Sequence, residues 1–264
     1  MKTNPVRAKL QRGEPSIGTW LTLSDPTAAQ LMATAGFDWL TVELEHSPTT
    51  MESAAHMFGL IAATGCVPLA RVAENTIANI KLVLDSGAWG VIVPMVNSRA
   101  EAEAAVKAAR YFPLGDRSVG GSLRAVAFGT DAATYHAKAN DEVLLIVMAE
   151  HVKAVADIDA ILSTPGIDAV FVGPNDLHAS MGLPPAFESG HAQFNDALAT
   201  ILASARKHGI PAGIHVADAA QATRRVKEGW QFIAVASESG FMLAKAGEIV
   251  KALGLGAGQA VAKY

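Results

Sequence analysis

Short runs of apolar and β-branched residues recur along this chain, separated by longer Ala-rich stretches of helical character. The strand-like runs are IGTWLTL (17–23), WLTVELE (39–45), PLARVA (68–73), GVIVPMV (90–96), VLLIVMA (143–149), AVFVG (169–173), AGIHVA (212–217) and FIAVAS (232–237). Helical stretches such as MESAAHMFGLIAATG, RAEAEAAVKAARYF, VKAVADIDAILS and FNDALATILASARKHG lie between them, and a last helix is expected over 242–253. Many of these stop at glycine, as at Gly36, Gly65, Gly87, Gly209 and Gly229, the usual left-handed C-cap residue. Eight strands alternating with eight helices predict an α/β fold with a parallel sheet and crossover helices. The count favours a closed (β/α)₈ TIM barrel over an open doubly wound sheet. No Gly-x-Gly-x-x-Gly follows the first strand, which weakens a dinucleotide-binding version of the open sheet. Two stretches, 111–130 and 178–190, exceed ordinary connection lengths and read as functional or mobile loops.

The 264 residues suit one barrel domain over 1–264, since such barrels run to about 250 residues. A net charge of −4 without a long basic run argues against nucleic acid as a partner. No apolar run approaches the roughly 18 residues of a membrane span. Cys66 is the only cysteine, so no internal disulfide can form. The N-terminal MKTNPVRAKLQRGEP lacks the apolar segment of a secretory signal, and a cytoplasmic location is expected.

In a barrel, polar residues at strand C-termini carry the chemistry. This chain puts Glu43, Glu45 and His46 after the second strand, Arg71 after the third, Glu150 after the fifth and Asp176 after the sixth. His215 lies near the end of the seventh strand and Glu238 follows the eighth. If the fifth and sixth strands are neighbours roughly 5 Å apart, Glu150 and Asp176 stand side by side. Two hard carboxylates with open positions around them suit a divalent ion that also holds an oxyacid substrate. The competing account of each is a helix N-terminal carboxylate stabilised by the macrodipole. His46, in ELEHSP, can exchange a proton near neutral pH. Asp85, late in the third helix, sits against the helix dipole, and pairing with His46 would fix the imidazole tautomer. Arg71 can clamp a carboxylate with its fork of donors, or form a salt bridge on the barrel end. The turn Gly173-Pro174-Asn175-Asp176 can offer backbone N–H groups to a carboxylate, and Arg124, near Gly120-Gly121, can close over a site. Structural turn glycines account for these positions equally well. His56, His136, His191 and His208 read as surface residues, while for His178 and His215 a surface and a site position both stay open.

The segments GFDWLTVELEHSP (36–48), PLARV (68–72), LDSGAWGVIVPMV (84–96), YFPLGDRSVGG (111–121), the Glu150 strand end and PGIDAVFVGPNDLHASMG (165–182) occur in an order and spacing that resemble one known family. It is that of the class II, metal-dependent pyruvate aldolases, the 4-hydroxy-2-oxoheptanedioate / 2-dehydro-3-deoxyglucarate aldolases. The resemblance covers nearly the whole chain. It implies a (β/α)₈ barrel whose C-terminal helix is exchanged between subunits of a homo-oligomer, a trimer of dimers. It implies Glu150 and Asp176 as ligands of Mg²⁺, Mn²⁺ or Co²⁺, His46 as acid/base oriented by Asp85, and Arg71 facing the pyruvyl oxygens. The implied reaction is reversible cleavage of a 4-hydroxy-2-oxoacid to pyruvate and an aldehyde through a metal-stabilised pyruvate enolate.

The chain departs from the family's pattern at two positions. Met148 stands where a Gln is usual, on the same inward face as Glu150. Glu43 stands where an Asp is usual. Polar groups behind metal ligands are worth about 10–100-fold in affinity or activity. Rival expectations are a malyl- or citramalyl-CoA lyase, an oxaloacetate decarboxylase and a non-catalytic binder of oxyacids.

Overall fold

The computed structural model describes residues 1–255. The chain begins with α1 (Pro5–Gln11), β1 (Ser16–Leu21), α2 (Pro26–Met32), β2 (Trp39–Glu43), α3 (Met51–Ala63), β3 (Val67–Arg71) and α4 (Ile77–Asp85). It continues through β4 (Gly90–Val93), α5 (Arg99–Ala109), α6 (Leu123–Ala127), α7 (Ala132–Glu142), β5 (Leu144–Met148), α8 (Val152–Ala156) and α9 (Ile158–Leu162). The last part is β6 (Ala169–Val172), α10 (Pro174–Ser180), α11 (Ala192–His208), β7 (Ala212–Val216), α12 (Ala219–Glu228), β8 (Phe232–Ser237) and α13 (Glu238–Ala252). The strands pair in parallel, each with its sequence neighbours, and β8 pairs with β1 to close the barrel. This is the (β/α)₈ architecture expected from the strand count.

Several expected strands end early, for local chemical reasons. β2 ends at Glu43: the Leu44 N–H still reaches Arg71 O, but the N–H groups of Glu45 and His46 turn back to the Glu43 side chain. β4 stops at Val93, where Pro94 has no N–H to give the ladder. The stretch expected as one helix over 152–163 is broken into α8 and α9 at Asp157, whose side chain accepts from the backbone of Arg99. Three helices carry too weak an apolar stripe to be read from the sequence. Of α7, only Tyr135 and Ala139 are buried. α1 buries Val6 and Leu10, and part of the long loop coils into α6. The C-terminal helix begins at Glu238 rather than at 242, capped by the Ser237 hydroxyl, and buries only Glu238 along its length. No helix among the described residues is long and apolar enough to cross a membrane.

A column of aromatic rings fills the barrel and carries the site above it. Trp39 stacks on Phe232 at 4.2 Å, Phe232 meets Phe171 edge-on at 5.8 Å, and Phe171 meets Trp20 at 5.9 Å. Glycines make the room for it. A Cβ at Gly18 would fall 2.1 Å from the Trp39 ring, and one at Gly213 would fall 2.9 Å from the Phe171 ring. Gly18→Ala is therefore expected to destabilise the fold by about 1–3 kcal/mol or more, the usual cost of overpacking. Urea denaturation measures this, and an unchanged midpoint would show that the column yields.

Candidate active site

The C-terminal ends of the strands converge on a small cleft lined by residues from β1, β2, β3, β5, β6 and β7 and the turns that follow them. Glu43 organises one wall. Its Oε2 accepts from Arg71 Nε at 2.7 Å and lies 2.6 Å from Arg71 Nη2, with both side chains buried. Its Oε1 accepts from the backbone N–H of Glu45 at 2.6 Å and of His46 at 3.1 Å. Arg71 also lies 3.1 Å from Glu45 Oε2, and its guanidinium sits 4.7 Å over the Trp20 ring. Burial opposes the charge on Arg71, but Glu43 and Glu45 outweigh it and hold the guanidinium firmly protonated. His46 is half exposed, with Nε2 3.8 Å from Glu45 Oε2. Burial raises the Glu45 carboxyl above its ordinary range, against the pull of Arg71 and His46.

The opposite wall holds the two candidate metal ligands. β5 and β6 are hydrogen-bonded neighbours with Met148 level with Phe171, which sets Glu150 level with Gly173. Glu150 is buried. Its Oε1 accepts from the backbone N–H of Met95 at 2.9 Å, and its Oε2 has no partner at all. A Cβ at residue 173 would stand 2.4 Å from that Oε2, so glycine is what leaves room beside the buried oxygen. Asp176 lies in the first turn of α10, exposed at the cleft. Burial pushes the Glu150 carboxyl up to about 7, with Arg71 and the Met95 N–H opposing and Asp176 and Glu45 adding to the rise. A buried carboxylate oxygen without a donor, facing a second carboxylate, fits a hard divalent cation. Among the described residues no three His, Cys, Asp or Glu side chains gather as a metal cluster. The Glu150–Asp176 pair thus leaves most of an ion's coordination to water and substrate. Met148 is buried and lines the cleft beside Glu150, as strand alternation requires. Pro174 and Asn175 line it too.

Two expected residues stand elsewhere. Asp85 does not pair with His46 within this chain. Its Oδ1 accepts from Arg117 at 2.7 Å and lies 4.0 Å from Arg124. Arg124 does not line the cleft. It is buried, donates to the carbonyl of Gly121 and lies 5.5 Å over the Tyr135 ring. The cause is the long loop after α5, which folds back over the end of α4 and brings two guanidinium groups to one carboxylate. Among the histidines left undecided by the sequence, His178 is buried, bonded to Pro174 O and Ser189 Oγ, each at 2.7 Å. Glu238 is also structural, since it accepts from the backbone N–H of Leu23 and Ser239 and from the Thr22 hydroxyl.

Trp20, Thr22, Phe171 and His215 complete the lining. Of these, only His215, near the end of the seventh strand, stands out in the sequence, which offers no sign of what it meets. His215 Nε2 lies 2.9 Å from Ala236 O. Burial pushes its imidazole down to about 4, with Arg71 also lowering it, so the ring stays neutral over the working pH range.

The HpcH/HpaI aldolase/citrate lyase signature matches residues 16–244. The chain belongs to that family. The family contains the metal-dependent aldolases that the sequence resembles, so a divalent metal is expected. Among relatives in this HpcH/HpaI group, a 2-keto-3-deoxy-L-rhamnonate aldolase of Klebsiella pneumoniae subsp. pneumoniae is 38% identical over 233 residues, spanning 88% of this chain and 86% of that protein. A crystal structure of an HpcH/HpaI aldolase/citrate lyase family protein from Burkholderia cenocepacia superposes with a TM-score of 0.88 at 32% identity, covering 95% of this chain and 99% of that one. The HpcH/HpaI aldolase of Desulfitobacterium hafniense gives 0.87 at 31% identity, covering 96% and 97%.

The buried Glu150 gives a test that needs no substrate. In the metal-free fold its carboxyl titrates at about 7, above the ordinary 4.5. The unfolded chain therefore sheds this proton first as pH rises. Folded-state stability falls from about pH 4.5 to about pH 7, and the full penalty, on the order of 3 kcal/mol, applies above that. EDTA-treated Glu150→Gln is expected to melt above the wild type at about pH 8, with the gap closing toward about pH 5. Equal melting temperatures at both pH values would mean the buried carboxylate costs nothing.

Proposed function

We propose that this barrel is a metal-assisted aldolase that cleaves 4-hydroxy-2-oxoacids to pyruvate and an aldehyde and catalyses the reverse addition. The observation that carries this reading is the buried, unpartnered Oε2 of Glu150, beside which Gly173 leaves room in a cleft shared with Asp176 and Arg71. Membership of an aldolase family supports the reaction class. Relatives named for a 2-keto-3-deoxy sugar acid support an oxoacid of that type as substrate.

Glu150 and Asp176 would hold the ion, Mg²⁺, Mn²⁺ or Co²⁺, which when bound supplies Lewis-acid charge at the 2-oxo and carboxylate oxygens. Gly173 clears the approach, and Pro174 and Asn175 border the end of the cleft where the pyruvyl carboxylate lies. Arg71, its plane fixed by Glu43, faces the oxygen on which enolate charge develops. His46 takes the proton of the 4-hydroxyl while the C3–C4 bond breaks and the aldehyde leaves. The Glu45 carboxylate beside it stabilises the imidazolium so formed, the part that Asp85 does not play in this chain. The enolate then takes a proton at C3, returned by the His46 imidazolium directly or through water, which gives pyruvate and restores the neutral imidazole. No step is assigned to Asp85 or Arg124.

Among the described residues, Arg71 is the one Lys or Arg lining the cleft, and it is committed to Glu43 and Glu45. That leaves no basic groove for a coenzyme A phosphate and favours the aldolase over the CoA-lyase reading. The exposed Met242, Leu243 and Ile249 on α13 support a homo-oligomer in which a partner covers this helix, and the family resemblance makes that a trimer of dimers with the helix exchanged. A single barrel domain acting in the cytoplasm completes the reading.

EDTA-stripped protein is expected to release pyruvate from racemic 4-hydroxy-2-oxoacids only after addition of Mg²⁺, Mn²⁺ or Co²⁺, and Glu150→Ala to release none. Release that is indifferent to metal, or that survives in Glu150→Ala, would overturn the assignment. Arg71→Lys, which cannot reproduce the two-point contact with Glu43, is expected to lower kcat about 10²–10³-fold. Steady-state kinetics on pyruvate release reads this directly.

A further inference from the structure

The proposed mechanism gives His215 no step, yet its ring is held by a hydrogen bond and two aromatic neighbours. Its Nε2 lies 2.9 Å from Ala236 O, and a carbonyl oxygen can only accept. Nε2 therefore carries the proton, and in a neutral ring Nδ1 must carry the lone pair. No described residue donates to Nδ1, and it is not among the buried polar atoms left without partners, so it remains open at the cleft that His215 lines. The ring is wedged edge-on against Phe187 at 4.9 Å and tilted against Trp20 at 5.7 Å.

The backbone that fixes this tautomer is itself distorted. Ala236 has φ 48°, and among the described residues only Met95, at φ 53°, shares that left-handed conformation without being glycine. Met95 gives its N–H to Glu150, and Ala236 gives its carbonyl to His215. The Ala236 distortion sits where the β1–β8 register slips, so that Trp20 pairs with Ser237. Such a bulge re-aims a backbone group. The same device thus aims one group at a candidate metal ligand and another at His215.

We propose that His215 determines the aldehyde specificity of this enzyme, its Nδ1 accepting a hydrogen bond from a hydroxyl on the aldehyde half of the substrate. The inference rests on the aldolase reading and adds the substrate class, hydroxyaldehydes. Trp20, Phe171 and Met148 make the nearby lining largely apolar, and the Thr22 hydroxyl is engaged by Glu238 and Ser239, so a substrate hydroxyl there finds His215 as its free acceptor. A carboxylate at the same place sets acceptor against acceptor, with Arg71 already committed to Glu43 and Glu45. Acidic aldehydes are therefore disfavoured.

The test is kcat/KM for pyruvate addition by the metal-loaded enzyme, comparing glycolaldehyde with acetaldehyde, which differ by one hydroxyl. Succinic semialdehyde and butanal form a second pair, differing by a carboxylate in place of a methyl group. The glycolaldehyde-to-acetaldehyde ratio is expected to fall about five- to tenfold in His215→Leu, the size of one hydrogen bond. In His215→Asn, whose amide oxygen can stand near the Nδ1 position, most of the preference is expected to remain. Succinic semialdehyde is expected to react more slowly than butanal in the wild type. An unchanged ratio in His215→Leu, a loss in His215→Asn as large as in His215→Leu, or faster reaction with succinic semialdehyde would each overturn the inference and leave the aldolase standing. No addition to any aldehyde by the wild type would remove both.

Discussion

The Glu43 carboxylate receives two donors from Arg71 and two backbone N–H groups, from Glu45 and His46. Those four contacts join the end of β2, the end of β3 and the turn that carries His46. Buried ion pairs of this kind are costly to break, about 3–5 kcal/mol when one partner is removed, because the other is left charged and dry. Arg71 cannot turn away, and its guanidinium stays over Trp20, the top of the aromatic column that fills the barrel. Core packing is thereby transmitted to the reacting end through one guanidinium.

The same arrangement leaves a charge imbalance. Glu43, Glu45, Glu150 and Asp176 line or border the cleft with a single guanidinium among them. Burial raises Glu45 and Glu150, the mark of carboxylates short of positive charge. A folded chain tolerates such a site when a ligand relieves it, and a cation does so most directly. Met148 deepens the imbalance, because its thioether is a weak acceptor and donates nothing to the carboxylate beside it.

The strands, their order and the adjacency of Glu150 to the Asp176 turn were legible because short apolar runs mark barrel strands and parallel neighbours follow the chain. The inward face of Met148 followed from strand alternation. The partner of Asp85 was not legible. It depends on the path of the 111–130 loop, which has no periodicity and delivers Arg117 and Arg124 to the end of α4. Nor could the pattern show that Glu43 would bind its own following N–H groups and end β2 early. The split between α8 and α9 turned on the bond from the Arg99 backbone to Asp157, a contact between distant parts of the chain.

Met95 and Ala236 carry a consequence for the evolution of this barrel. A side-chain-bearing residue in the left-handed region costs on the order of 1 kcal/mol, and glycine would remove that cost. Selection for thermal endurance alone would replace both. Their replacement would also free the backbone that aims Glu150 and His215. Relatives adapted to heat should therefore keep these two contortions only where the aim of Glu150 and of His215 is still under selection, which makes positions 95 and 236 a record of the demand placed on the enzyme.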